Sequence, residues 1–113
     1  MKYFSILLIF ISLQAKAKYT PWIEPLTVSL VLDKGFRVTG TFASPFTCEL
    51  ENQIFIAMDH PQYDQIYSMS LAALASRSEM KFEIRKCTTV GWLSTKTIGT
   101  LDSSSPGEVV LKN

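Results

Sequence analysis

Residues 60–87 read HPQYDQIYSMSLAALASRSEMKFEIRKC, and this stretch decides the fold. Pro61 suits a first helical turn, where its fixed φ is helical and its missing N–H is not needed. Asp59 or His60 precedes it as a cap, Asp59 being the better acceptor. Asp64 lies where a negative charge meets the positive end of a helix dipole. Tyr63, Ile66, Tyr67, Ser70, Leu71 and Leu74 recur at the spacing of one helical face. Ser76, Arg77 and Ser78 end that pattern. Met80, Phe82 and Ile84 then alternate with Lys81, Glu83 and Arg85, the period of a half-buried strand. The strand delivers the chain to Cys87. One helix, a turn and one strand are therefore expected here.

The far side of the helix is unusual. Met69, Ala72, Ala73 and Ala75 are small or apolar, while Gln62, Gln65 and Ser68 are polar. A helix with one buried face normally carries a more polar opposite face. Two readings stand: a well-packed helix rich in alanine, or a second contact surface against a neighbouring subunit.

Working outward, the residues before the helix read as sheet. Leu26, Val28, Leu30 and Leu32 alternate with Thr27, Ser29, Val31 and Asp33. Asp33-Lys34-Gly35 is a turn signal. Phe36, Val38, Gly40 and Phe42 continue the alternation, so a β-hairpin with one apolar face is expected. Gly40 within a strand suggests a bulge or bend. Ser44-Pro45 marks a further turn, and residues 53–58 form a strand that leads into the helix. Beyond Cys87, Gly91-Trp92 reads as loop and residues 95–101 as a strand. Residues 102–107 read as a Ser/Pro/Gly linker. Residues 109–111 are an edge strand or part of a loose tail spanning 102–113.

The chain has 113 residues, with eleven Lys and Arg against ten Asp and Glu. Residues 1–17 read as a secretory signal peptide: Lys2, an apolar run over residues 4–13, and Ala15-Lys16-Ala17 as a small-x-small cleavage site. That run is too short to span a bilayer, and no other stretch is long enough. Residues 18–113 then form a single domain. The leader takes two basic residues and no acid, so the exported chain is one charge negative. That balance argues against a nucleic-acid partner. The expected location is the periplasm or the medium.

In an exported protein with two cysteines, pairing of Cys48 with Cys87 is the default. Closing a loop of this length contributes about 4 kcal/mol in the chain-entropy model. A metal site is not expected, because one histidine and two distant cysteines do not match zinc spacing. No cofactor motif is present, and no glycine-rich phosphate loop. His60 reads as a solvated cap residue rather than a general base. Glu49 and Glu51 read as a solvated edge rather than an acid–base pair. A small secreted hydrolase therefore lacks its residues. Trp22 and Trp92 are the candidate glycan- or partner-binding residues. Tryptophan offers a flat apolar platform with an N–H at its rim. The competing reading is that both plug the ends of a small barrel.

The element order is mainly β with one helix. It matches an OB-fold-like five-stranded Greek-key barrel, with its helix between the third and fourth strands and one disulfide. Residues 67–76, Tyr-Ser-Met-Ser-Leu-Ala-Ala-Leu-Ala-Ser, followed by a turn, the Lys81-Phe82-Glu83-Ile84 strand and Cys87, resemble small exported bacterial proteins whose helix reads roughly Y-S-L-L-L-A-A-x-A-S-G-K. Ser44-Pro45-Phe46-Thr47-Cys48 resembles the Ser-Pro-aromatic-x-Cys segment of the B subunits of subtilase cytotoxin and related pertussis-like toxins. The resemblance covers residues 26–101. It implies an OB-fold, a ring of five subunits and recognition of cell-surface glycans, without catalysis. Two departures stand out. Arg77 replaces the glycine after the helix, and Gly91-Trp92 replaces Trp-Gly after the second cysteine. No residue here matches the serine that contacts sialic acid in those subunits, so no glycan-binding residue carries over. A monomeric periplasmic accessory protein with the same fold and no glycan site is the alternative.

Overall fold

A computed structural model describes residues 18–40, 48–89 and 96–112. The signal-peptide residues 1–17, the Ser44-Pro45-Phe46-Thr47 segment and Trp92 lie outside the described residues. Among the described residues eight strands and one helix follow in order: β1 (Lys18–Tyr19), β2 (Pro25–Val31), β3 (Gly35–Gly40), β4 (Leu50–Ala57), α1 (Tyr63–Ser76), β5 (Glu79–Ile84), β6 (Cys87–Thr89), β7 (Thr97–Leu101) and β8 (Val109–Lys112). They form a five-stranded sheet in the order β2-β3-β4-β7-β6 and a three-stranded sheet in the order β1-β5-β8. The β4–β7 pairing is parallel, and every other strand pairing is antiparallel.

The described chain passes between the two sheets four times. Residues 20–24 carry it from β1 to β2, α1 carries it from β4 to β5, residues 85–86 from β5 to β6, and residues 102–108 from β7 to β8. The first passage is held firmly. The Thr20 N–H donates to Phe82 O at 2.9 Å, and the Ile23 and Met80 backbones exchange two bonds of 2.8 Å. The Thr20 hydroxyl accepts the Phe82 N–H at 3.0 Å. The segment 18–23, which contains Pro21, is thus bound along β5.

The β2–β3 hairpin turns through Asp33, which sits in the left-handed region at φ 63°. Gly35 follows at φ 151°, and a Cβ there would fall 2.1 Å from the Ile56 carbonyl oxygen. Glycine is therefore required where β3 crosses close to β4. The bulge anticipated at Gly40 falls on its partner strand. Register shifts between Pro25 and Thr27, leaving Leu26 as the extra residue opposite Gly40 and Thr39.

The helix begins later than Pro61. Its N-cap is Gln62, which makes no side-chain cap bond, and α1 starts at Tyr63. The two expected caps are otherwise engaged. Asp59 accepts the Ser103 N–H and hydroxyl at 3.3 and 2.9 Å. His60 Nδ1 accepts the Gln62 N–H at 2.9 Å, and the residue is 4% exposed. The expectation of a solvated His60 is corrected: the ring is buried as part of the turn that launches the helix. At the other end Arg77 adopts φ 58°, the left-handed conformation that usually calls for glycine. The residue at which the chain departs from the resembled pattern thus still holds the glycine-type backbone.

One core joins both sheets and the helix: Ile23, Phe36, Val38, Ile54, Ile56, Ile66, Ala73, Met80, Phe82, Ile84 and Leu101. The buried helical residues are Ile66, Ser70 and Ala73, with Leu71 exposed, so the buried stripe is rotated from the expected one. Small side chains at 70 and 73 let the helix lie close to its neighbours. The Ser70 hydroxyl is satisfied by the Ile66 carbonyl at 2.8 Å. Tyr63 and Tyr67 meet Phe36 edge-on, with centroids 5.4 and 5.1 Å away. Cys48, just before β4, is bonded to Cys87 at the start of β6, with Cα atoms 5.5 Å apart. The expected pairing is present, and it fastens the start of β4 to the far edge of the same sheet.

Candidate functional site

The β5 alternation expected from sequence has a consequence on its outer side. Met80, Phe82 and Ile84 point into the core, so Glu79, Lys81, Glu83 and Arg85 face outward. Pairing with β1 sets Tyr19 opposite Glu83, and pairing with β8 sets Lys112 opposite Glu79. Ile23 is buried in its bridge to Met80, so its neighbour Trp22 turns to the outer surface. Trp22 is 36% exposed.

Two ammonium groups flank this ring. Lys81 Nζ lies 4.8 Å and Lys112 Nζ 4.6 Å from the Trp22 centroid, and Lys81 is also 5.0 Å from the Tyr19 centroid. Each such contact at an exposed site contributes about 0.5–1 kcal/mol, enough to hold the ring in one orientation. Lys112 also pairs with Glu79 at 3.4 Å. Trp22 is thus an exposed surface aromatic with an ammonium group of Lys81 and one of Lys112 over its ring.

A cleft of about 490 Å³ lies beside the platform. The first half of α1 supplies Gln62, Gln65, Ile66 and Met69, and β5 supplies Glu83 and Arg85. Its third wall is the segment 106–109. This segment lies directly on β5: a Cβ at Gly107 would fall 2.0 Å from the Glu83 carbonyl oxygen, so only glycine permits the approach. Glu83 clamps it there. Its Oε1 accepts the Glu108 N–H at 2.8 Å, while its backbone N–H donates to Glu108 O at 2.8 Å. Its Oε2 accepts Arg85 Nε and Nη2 at 3.3 and 3.0 Å. A nearly buried carboxylate is stable here because every lone pair it must satisfy has a donor.

Tyr19 joins the platform to the cleft. Its hydroxyl donates to Glu108 Oε1, and that carboxylate pushes the phenol up to about 12, helped by partial burial and the charge of Glu83. The hydroxyl thus stays a donor across the physiological range. The cleft lining brings together two amides, a guanidinium and a carboxylate, and Tyr19 links Glu108 to the Lys81–Trp22 group outside it. An apolar floor of Ile66, Met69 and Val109 lies below. Such a mixture suits a ligand with an apolar ring face and a polar rim.

Of the residues singled out from sequence, Trp22 reaches this site and Trp92 lies outside the described residues. Glu49 is exposed and bonds to Thr97, its N–H donating to the Thr97 hydroxyl and its Oε1 accepting the Thr97 N–H, each at 3.0 Å. Tyr19, Lys81, Glu108, Arg85 and Gln65 were not singled out. The outward set Lys81, Glu83 and Arg85 is legible in the alternation. Its meeting with Tyr19 and Trp22, some sixty residues earlier, is set by the β1–β5 pairing. No described helix is long and apolar enough to cross a membrane. No protein-family model, curated protein or solved structure matches this chain.

Proposed function

We propose that this chain is an exported, non-enzymatic binding module that takes a saccharide on the Trp22 platform and the adjoining cleft. The observation that carries the reading is the continuity of the two. An exposed indole has two ammonium groups over its ring, and Tyr19, beside the same Lys81, bonds to Glu108 in a cleft of small-ligand size lined with hydrogen-bonding side chains. Sugar rings have an apolar face and a hydroxylated edge, which this pairing matches.

The finer fold assignment belongs to the same proposal. The order β2-β3-β4-β7-β6, the parallel β4–β7 pair, and the helix after β4 support an OB-fold connectivity. In this reading β1 with β2, and β5 with β6, are two long bent strands whose first halves pair with each other. The resemblance to toxin B subunits points the same way on both fold and ligand class.

The test is binding of the disulfide-intact protein to a printed glycan array, followed by titration of any hit with the Trp22→Ala variant. Loss of a stacked aromatic should weaken binding by about tenfold or more. Unchanged affinity in Trp22→Ala would remove the platform from the site.

A second reading concerns assembly. Leu26 and Leu30 on edge strand β2 and Leu32 just after it are exposed, as is Leu71 on α1, and the β2 segment carries no charge to blunt its edge. These observations favour a ring or other oligomer of this chain. Light scattering over a dilution series separates this from a monomeric accessory protein.

A further inference from the structure

We infer that the cleft selects uncharged, hydroxyl-bearing sugars over acid-terminated ones, with Glu108 as the residue that sets the preference; this rests on the saccharide reading above. Six charged side chains border the site, and they balance. Glu79, Glu83 and Glu108 stand against Lys81, Arg85 and Lys112. The balance is not uniform across the surface.

On the platform, Lys81 lies over the Tyr19 and Trp22 rings, and Lys112 is shared between Trp22 and Glu79. Inside the cleft, the one guanidinium is already neutralised, because Arg85 Nη2 is 3.0 Å from Glu83 Oε2. Glu108 has no cationic partner among the described residues. Its Oε1 takes the Tyr19 hydroxyl, and its other oxygen makes no bond among them. The cleft therefore holds one uncompensated negative charge. A carboxylate or sulfate arriving in the cleft meets it at short range, and the one cation lining the cleft is already paired.

The neutral groups point the same way. The side-chain amides of Gln62 and Gln65 carry no hydrogen bond among the described residues, and both line the cleft. Each offers a donor and an acceptor. A sugar hydroxyl also gives and takes one bond, so it can satisfy both halves of an amide and donate to Glu108. An anionic oxygen only accepts, and it would leave the amide oxygens and the second Glu108 oxygen without a donor. The Tyr19 hydroxyl holds the Glu108 carboxylate in place, since it remains protonated until well above neutral pH.

The experiment uses the whole disulfide-bonded protein on an array of matched glycan pairs, each neutral member printed beside its sialylated or sulfated form. Among pairs that bind, the neutral member should bind roughly tenfold more tightly at low salt. Glu108→Gln keeps the shape of the side chain and removes its charge. It should narrow that ratio to about threefold or less. Gln65→Glu, at an exposed helical position, adds a second carboxylate and should widen the ratio. It keeps the test decisive should Glu108→Gln disturb folding. Equal or tighter binding of the acid-terminated members overturns the inference while leaving the saccharide reading intact. A ratio unmoved by either variant removes Glu108 and the cleft from the selection. Failure of every glycan, neutral or acidic, overturns the saccharide reading and this inference with it.

Discussion

Strands β2 and β5 carry the same alternating pattern and meet opposite fates. In β5, Met80, Phe82 and Ile84 are all at 0% exposure, with the charged residues outside. In β2, Leu30 is 60% exposed and neighbouring Leu32 is 82% exposed, while only Val28 packs partly against the core. The difference lies in what surrounds each strand. β5 is central, with β1 on one side, β8 on the other and the helix-bearing core beneath. β2 is an edge strand, and Leu30 stays outside the buried core that its partner Phe36 joins. A period of two says which residues share a face. It does not say that the face is covered.

Substitutions on the two strands should separate most sharply at Phe82 and Leu30. Phe82→Ala opens a cavity under both sheets and should cost about 3–5 kcal/mol, read as a lowered midpoint in denaturant unfolding. A loss below about 1 kcal/mol would mean that β5 is less central than its pairing indicates. At the turn that aims the chain into β5, Arg77→Gly should stabilise the protein by up to about 1 kcal/mol, because glycine occupies the left-handed region without penalty. Thermal unfolding of this exposed-site variant is the check.

Just past β5, Lys86 pairs with Asp102 at 2.8 Å. Partial burial pushes the Asp102 carboxyl up, but the hydrogen bonds from Lys86, Ser104 and Ser105 outweigh it and leave it below its usual range. A depressed carboxylate favours the folded state above its unfolded value of about 3.9, and the gain is lost as pH falls through the depressed value. Asp102→Asn should therefore lower stability by under about 1 kcal/mol at neutral pH, and the gap should close toward pH 2. A gap that persists in acid would assign the effect to packing. The smallest change is expected on β2. Leu30→Ser should alter monomer stability by no more than about 0.5 kcal/mol. If β2 forms the assembly surface, the same variant should lower the native mass in light scattering. A large stability loss without a change in mass would show that Leu30 belongs to the folding core.

The site contrasts with the core in how readable it was. Trp22 was recognisable as a candidate because it stands outside any alternating face. Tyr19, Lys81, Glu108 and Gln65 were not, because each looks ordinary beside its neighbours. They become a site only when residues far apart in sequence are paired. His60 shows the reverse case. A lone histidine before a helix reads as solvated, yet His60 is buried while Asp59, Pro61 and Gln62 around it stay exposed.

Local pattern determined a good deal here. The β5 alternation, the helix over residues 63–76, the hairpin turn at Asp33 and Gly35, and the Cys48–Cys87 bond all follow from short-range spacing or from the presence of two cysteines. These depend on interactions within a turn or a strand, or on the lack of another partner. Tertiary structure decided which leucines stay exposed, which face of the helix is buried, where His60 goes, and how Trp22, Tyr19 and the cleft come together. Those outcomes depend on which strands become neighbours. Strand pairing joins residues tens of positions apart, and its choice rests on the summed burial of a whole core rather than on any one segment.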